Sequence, residues 1–317
     1  MISFIIIGKN EERTIKQAIN SVLNVIESAS INDSDIIYVD SKSSDNTLQI
    51  AKSYPQIKCF EITGTCNAAI ARNIGATESK GDILCFIDAD MELQVEFIQE
   101  TIKSNKLIYP FISGQLKNYF YNSIEKRSLV GTNNLHKNLT QDKYEATTGG
   151  YFLINRVTWF SVNGMRNKYR RCQDIDLGLR LAKNDTKLLR KKELMVNHHT
   201  IDYQNKNRMW KMLFDGSLLF MTSVLYRDHI FNSNIYPIIL RNSYTLLILI
   251  ITLLSLPISF LFLFFHPIIL FARVLMQNRS ANITDMLRRF IYFYLLDLFS
   301  LIGFFAFFPK KQPVQYK

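Results

Sequence analysis

Residues 83–90 read ILCFIDAD, five apolar residues followed by two aspartates separated by one alanine. An apolar run of this length, bounded by polar residues, suits a strand buried on both faces. Lys80-Gly81-Asp82 supplies a turn ahead of it, and Asp88-Ala89-Asp90 ends it. Two carboxylates two positions apart at a strand end can both reach one hard cation, directly or through water. By itself an Asp-x-Asp tripeptide reads as a solvated loop. Its position after a buried strand is what points to chemistry.

Outward from this stretch, strand and helix patterns alternate. Ile2 to Ile7 is a short apolar run, punctuated by Asn10 and Glu11. Ile15, Ala18, Ile19, Val22 and Leu23 recur at helical spacing within Thr14 to Val25. Asp35 to Val39 is a second apolar strand, ended by the polar run from Asp40 to Asp45. Thr47 to Ser53 reads as a short helix, Ile57 to Ile62 as a strand and Ala68 to Ser79 as a helix. This alternation predicts an α/β fold, a mostly parallel sheet flanked by helices. Ligands of such sheets bind beyond the carboxyl ends of the strands. Asn10/Glu11, Asp40 and Asp88/Asp90 are therefore expected along one edge. Further on, Leu107 to Phe120 reads as a strand with a neighbouring helix, and Gly131 to Thr148 as a polar loop containing Asn138. Gln173 to Lys183 reads as a helix, and His198-His199 follow the strand-like LMVN.

The composition changes near Tyr236. Tyr244 to Phe265 carries no charge, and Phe290 to Phe308 carries only Asp297. About 20 such residues cross a bilayer as a helix. The expected division is a catalytic domain over 1–205, a connector over 206–236, and a membrane region over 237–317 with two or three hydrophobic transmembrane helices. Trp210 to Leu225 is amphipathic and fits either the membrane surface or the catalytic domain. Pro257 leaves two arrangements open: two spans, or a re-entrant hairpin plus one span. The run Ile5-Ile6-Ile7 is too short for a secretory leader. The catalytic domain is thus expected on the cytoplasmic side of the cell membrane. The formal net charge of +11 suits phosphorylated ligands or anionic lipid, and nucleic acid is not an expected partner. Cys59, Cys66, Cys85 and Cys172 form no Cys-x-x-Cys pair and read as free thiols.

Five segments keep a common order and spacing: SFIIIGKNEE (3–12), IIYVDSKSSDNT (36–47), ARNIGATESKGDILCFIDADMEL (71–93), GGYFLINRVTWFSVNGM (149–165) and QDIDLGLRL (173–181). Together, over residues 2 to about 182, they resemble a family 2 glycosyltransferase with the GT-A fold. The resemblance implies a nucleotide-sugar donor, commonly a UDP-sugar, and inversion at the anomeric carbon. It implies that Glu11 faces the nucleotide, Asp40 accepts a hydrogen bond from the base, and Arg72 helps to hold the nucleotide. Asp88 would orient ribose or metal, and Asp90 would be the principal ligand of Mg²⁺ or Mn²⁺. A late histidine, here His198, sometimes completes that shell. Asp174 matches the general base. Gly149, Gly150 and Asp176 fall on the acceptor side, with Asp176 alternatively supporting the start of its helix.

Chemistry supports two of these roles independently. A divalent ion neutralises charge on a departing nucleoside diphosphate. A positioned carboxylate can take the proton of an attacking hydroxyl, although Asp174 at a helix start also fits a cap worth about 1 kcal/mol. There are departures from the family pattern. Ile7-Gly8-Lys9 stands where Pro-Thr-Tyr is frequent, Ser41 replaces a second Asp, and Gln173 replaces Glu. The Gln-x-x-Arg-Trp element of processive synthases is absent, since Gln204 to Trp210 has the wrong spacing. The expected activity is a single sugar transfer to a lipid-linked or glycan acceptor at the membrane, in cell-surface polysaccharide or glycolipid synthesis. Two other readings compete. A nucleotidyltransferase would need a Gly-rich basic loop near the start. A non-catalytic membrane protein would keep the fold as a nucleotide-binding or assembly module.

Overall fold

The computed structural model describes residues 1–122, 128–136, 139–201, 220–277 and 282–317. Asn138, the segment Gln204 to Trp210 and the first part of the amphipathic stretch lie outside these residues. The chain divides into two compact units, one of residues 1–204 with 310–317 and one of residues 205–309.

The first unit begins with β1 (Ile2–Gly8), α1 (Ile15–Ser28), β2 (Ser34–Asp40), α2 (Thr47–Lys52), β3 (Ile57–Glu61), α3 (Ala68–Glu78) and β4 (Ile83–Asp88). It continues with β5 (Met91–Leu93), α4 (Val95–Thr101), β6 (Ile102–Lys103), β7 (Lys106–Leu107), β8 (Phe111–Tyr121), β9 (Leu129–Asn134) and β10 (Lys143–Glu145). β11 (Phe152–Asn155), α5 (Arg156–Ser161), α6 (Gln173–Lys183) and β12 (Leu188–Ile201) complete it. The main sheet runs β10-β12-β8-β11-β4-β1-β2-β3, with β5 on β12 and β9 on β8. β3, β2, β1 and β4 are mutually parallel.

The parallel block is buried on both faces, as its continuous apolar strands require. On one face Ile15, Ile19 and Val22 of α1 pack against Phe4 and Ile6. On the other, Ile70 and Ile74 of α3 pack against Ile5, Ile7 and Phe86. Gly75 permits that approach, because a Cβ there would run into the Ile5 side chain.

Past β4 the sheet departs from the sequence expectation and becomes mixed. β11 is antiparallel to both β4 and β8, whereas β12 is parallel to β8. The expected helix beside Leu107 is the small β6–β7 hairpin and the start of β8. The expected loop over 131–148 contains most of β9 and all of β10. These strands are held by pairing with distant segments, which local composition does not report. The last residues of the chain also belong here. Glu61 and Lys317 exchange both main-chain hydrogen bonds, 2.9 and 3.0 Å. Ile62 bridges Tyr316 in antiparallel fashion.

The second unit contains α7 (Met221–Asp228), α8 (Tyr236–Asn242), α9 (Tyr244–Ser255), α10 (Phe265–Gln277) and α11 (Ile283–Ala306). The 24-residue α11 is long and apolar enough to cross a membrane. Ser233–Asn242 and Tyr244–Ser255 pass the same test only as a pair, and they are bent by 92°. Polar side chains tie the helices together. His266 Nε2 lies 3.1 Å from Asp297 Oδ2, with both groups buried. Arg227 donates to the carbonyls of Phe304 and Phe307 at 2.7 and 2.8 Å, and so caps the end of α11. Large apolar side chains are nevertheless exposed, among them Phe231, Ile258, Phe260, Leu261 and Phe305.

Candidate active site

Parallel pairing brings the ends of β1, β2 and β4 to one level, with Gly8 opposite Asp40 and Ile7 opposite Asp88. A cavity of ≈ 350 Å³ opens at this edge. Glu11, Ser41, Cys66, Asn67, Asp88 and Asp90 are among its lining residues. Gly8 is required by a close approach, since a Cβ there would stand 2.6 Å from the Ala89 Cβ. That contact accounts for glycine at the position where the family pattern has threonine. Asn67 forms the cavity wall and starts α3: its Oδ1 accepts from Ile70 N–H at 2.8 Å, an N-cap.

Asp88 lies at the centre of the charges. Arg72, only 2 % exposed, donates from Nη2 to Asp88 Oδ1 at 2.6 Å and to the Gly150 carbonyl at 3.0 Å. A Cβ on Gly150 would sit 2.7 Å from Arg72 Nη2 and 2.9 Å from Asp88 Oδ2. Gly150 thus leaves room for the ion pair. Burial raises the Asp88 pKa, Arg72 opposes the rise, and the charges of Asp90 and Asp174 add to it. Asp90 and Asp174 are thus near enough to Asp88 for their charges to act on it.

Asp174 occupies the first turn of α6, which is entered through Cys172 in the left-handed region at φ 63°. Burial raises its pKa; the Ile175 N–H and the charges of Arg72 and Arg171 hold it down only in part. The result is a carboxyl that binds its proton more tightly than an ordinary aspartate.

Asp90 meets β12. Its carbonyl accepts from His199 N–H at 2.8 Å, and its Oδ2 lies 3.2 Å from His198 Nε2. The other ring nitrogen of His198 is 2.7 Å from Asn118 Oδ1, and the Asn118 amide donates to Asn133 Oδ1 at 2.9 Å. That donation fixes which Asn118 atom faces the ring, so Nδ1 carries hydrogen. In the neutral ring the Nε2 lone pair then confronts a carboxylate oxygen. Two acceptors at that distance need a proton or a cation between them. His199 turns to the opposite face of the strand, between Tyr121 and Glu92.

Two of the expected site residues are engaged by neighbouring side chains. Asp40 is 1 % exposed and is not part of the cavity wall. It accepts from Tyr38 Oη at 2.9 Å and from Ser43 N and Oγ at 2.7 and 2.6 Å. Its carboxylate thus anchors the loop that presents Ser41. Asp176 is completely buried. Arg180 donates to it at 2.9 Å, and Arg166 lies 3.3 Å away. Positions 174 and 176 are about 200° apart around a helix, so the two carboxylates lie on different faces of α6, and Asp174 is not among the residues that line the cavity. Gly149 abuts the Tyr151 ring. Sequence reading missed Asn118 and Asn67. The capping pattern of Asn67 ahead of an apolar helix was the available signal, whereas Asn118 carried none.

The comparisons with known proteins give a family match and structural similarities. The profile of glycosyl transferase family 2 matches residues 3–157. No curated protein matches the sequence. Among solved structures, S. aureus TarS 1-349 is similar at 14 % identity and a TM-score of 0.48, over 77 % of this chain and 74 % of that one. Its complexes with UDP and with UDP-GlcNAc give the same identity and TM-score. Residues 3–157 thus match glycosyl transferase family 2, and they build most of the mixed α/β sheet.

Proposed function

We propose that the chain transfers one sugar from a nucleotide-sugar donor to a hydroxyl of a lipid-linked or glycan acceptor at a membrane surface, with inversion and with Mg²⁺ or Mn²⁺ as cofactor. The observation that carries the proposal is the cavity lined by Asp88 and Asp90, with Arg72 paired to Asp88 at 2.6 Å and His198 3.2 Å from Asp90. The donor's diphosphate belongs at Asp88 and Asp90, beside the start of α3.

The fit of a divalent ion is argued from the two acceptors, His198 Nε2 and Asp90 Oδ2, that face each other at 3.2 Å. Among the described residues no three His, Cys, Asp or Glu side chains form a complete set of ligands. Mg²⁺ commonly takes one or two protein carboxylates and completes its shell with phosphate oxygens and water. Asp90 and His198 would hold it, with Asp88 behind them. When bound, the ion supplies neutralisation of the charge on the departing diphosphate. Asp174 takes the proton of the acceptor hydroxyl as the oxygen attacks the anomeric carbon, and burial, which raises its pKa, makes it a stronger base than an ordinary aspartate. The exposed apolar helices of the second unit support attachment to a membrane, with cell-surface glycan or glycolipid synthesis as the setting. The departures at Ile7-Gly8-Lys9 and Ser41 weaken the case for uracil, so UDP-sugars are the first donors to test rather than the only ones.

The experiment is a donor screen on purified membranes with Mg²⁺ or Mn²⁺, reading both released nucleoside diphosphate and glycosylated product. Turnover that needs the metal and is lost in Asp90→Ala and Asp174→Asn is the expected result. Full product formation by either variant would refute the role assigned to that residue.

A further inference from the structure

The segment 310–317 follows α11 directly, yet it is part of the first unit. Its attachment is extensive. Lys317 and Glu61 exchange main-chain hydrogen bonds, and Thr63 N–H donates to the Gln315 carbonyl at 2.8 Å. The Tyr316 ring stands edge-on to Phe60, with centroids 5.8 Å apart, and its hydroxyl donates to Glu78 Oε1 at 2.5 Å. The Asn167 amide donates to the Gln312 carbonyl. Residues 1–201 and 310–317 thus fold as one body, and the second unit is an insertion in it.

A folded body cannot straddle a bilayer. We infer that the chain crosses the membrane an even number of times between residues 201 and 310, with Ile283–Ala306 as the return leg of a helical hairpin and Phe260–Met276 as its outward leg. This inference rests on the membrane attachment proposed above. It excludes one of the two arrangements that the sequence leaves open, a re-entrant hairpin followed by a lone span.

Contacts within the second unit identify the partner of α11. His266 meets Asp297 at 3.1 Å and the Tyr294 ring at 5.5 Å between centroids. Seven residues further along α10, Arg273 lies over the Phe293 ring at 4.6 Å, and Phe271 packs on Phe290 at 6.1 Å. Rising numbers on α10 match falling numbers on α11, so the two helices are antiparallel. Phe260–Met276 has 17 residues, the lower end of the length that spans a hydrocarbon core. Ionisable groups at such depth pair with one another inside a bundle, as buried His266 and Asp297 do.

The test is side-specific labelling of single introduced cysteines in the full-length protein, in sealed cells and after permeabilisation. Lys52→Cys reports the catalytic unit, Lys311→Cys the returning segment and Thr284→Cys the start of α11; all three positions are exposed. The expected result is that Lys52→Cys and Lys311→Cys label from one side and Thr284→Cys from the other. Labelling of Lys52→Cys and Lys311→Cys from opposite sides overturns the even count. Labelling of all three from one side overturns the crossing hairpin. Carbonate extraction separates these outcomes from failure of the underlying reading. A chain released by carbonate is not embedded at all, and the inference falls with membrane attachment.

Discussion

At the scale of single residues, the charge balance of the cleft leads to measurable pH behaviour. The pKa of Asp174 is raised by burial and held down in part by Arg171. A general base works only when ionised, so the acid limb of the kcat/KM profile belongs above the ordinary aspartate value of about 3.9. Arg171→Gln removes one of the opposing charges and is expected to move that limb further up. A pH–rate profile with an unmoved limb would separate Asp174 from the catalytic base. For stability the sign is different. Asp88 and Asp174 both have raised pKa values, so the folded state binds their protons more tightly than the unfolded chain does. Their contribution is fully present below the unfolded carboxylate pKa and is lost as pH rises through the raised folded values. Mn²⁺ favours the ionised forms, so it is expected to raise Tm at neutral pH and to do little in acid. Asp176 differs in kind. Its loss leaves buried Arg180 without its carboxylate, so Asp176→Ala is expected to cost about 3–5 kcal/mol, read in a denaturant titration. The sequence made Asp88, Asp90 and Asp174 legible because each follows or starts a regular element. It did not reveal that Asp40 and Asp176 are consumed by Tyr38, Ser43, Arg166 and Arg180. Of those contacts only the i,i+4 pair Asp176–Arg180 had a local signal.

At the scale of elements, α3 and its preceding loop connect the donor cavity to the end of the chain. Gln312 holds the Asn167 amide, the Asn167 carbonyl accepts from Asn67 Nδ2 at 2.9 Å, and Asn67 caps α3 beside the cavity. Truncation after Pro309 removes the first member of this series and frees residues 61–64. The expected effect is a rise in donor KM of about fivefold, the equivalent of one net hydrogen bond of about 1 kcal/mol. kcat should change much less, because Asp174 and Asp90 are untouched. Steady-state kinetics with varied donor make the distinction, and an equal fall in kcat would show a wider collapse. β1 to β4 were legible because each is an uninterrupted apolar run closed by polar residues. β9, β10 and the full extent of β8 and β12 were not. Their residues alternate or are plainly polar, as in the exposed and half-buried Leu129–Asn134. Only pairing across distant sequence makes them strands, and with them goes the position of His198 beside Asp90.

At the scale of the whole molecule, the chain is a catalytic body interrupted by an apolar insertion, and that organisation can be tested by removing the insertion. The change in composition at Tyr236 announced an apolar unit; nothing in KKQPVQYK announced a return to the sheet, since an edge segment of this kind is specified by its partner. Without residues 310–317, the end of the edge strand β3 is left with unpaired groups at Glu61 and Thr63, and Phe60 loses the Tyr316 ring. Exposed edges of that sort invite aggregation. Two shortened proteins therefore should differ sharply: residues 1–201 alone, and residues 1–201 joined through a long Gly/Ser linker to 310–317. The joined form is expected to be soluble without detergent and to melt higher. Each net 1 kcal/mol contributed by the returning strand shifts Tm by about 2–4 °C for a domain of this size. Tyr316→Ala in the joined form should remove part of the gain, because it deletes the Phe60 and Glu78 contacts and leaves the main-chain pairing in place. Thermal melts of the three proteins at equal concentration decide the matter. Identical melting temperatures with and without 310–317 would mean that the returning strand does not dock on the catalytic unit in solution.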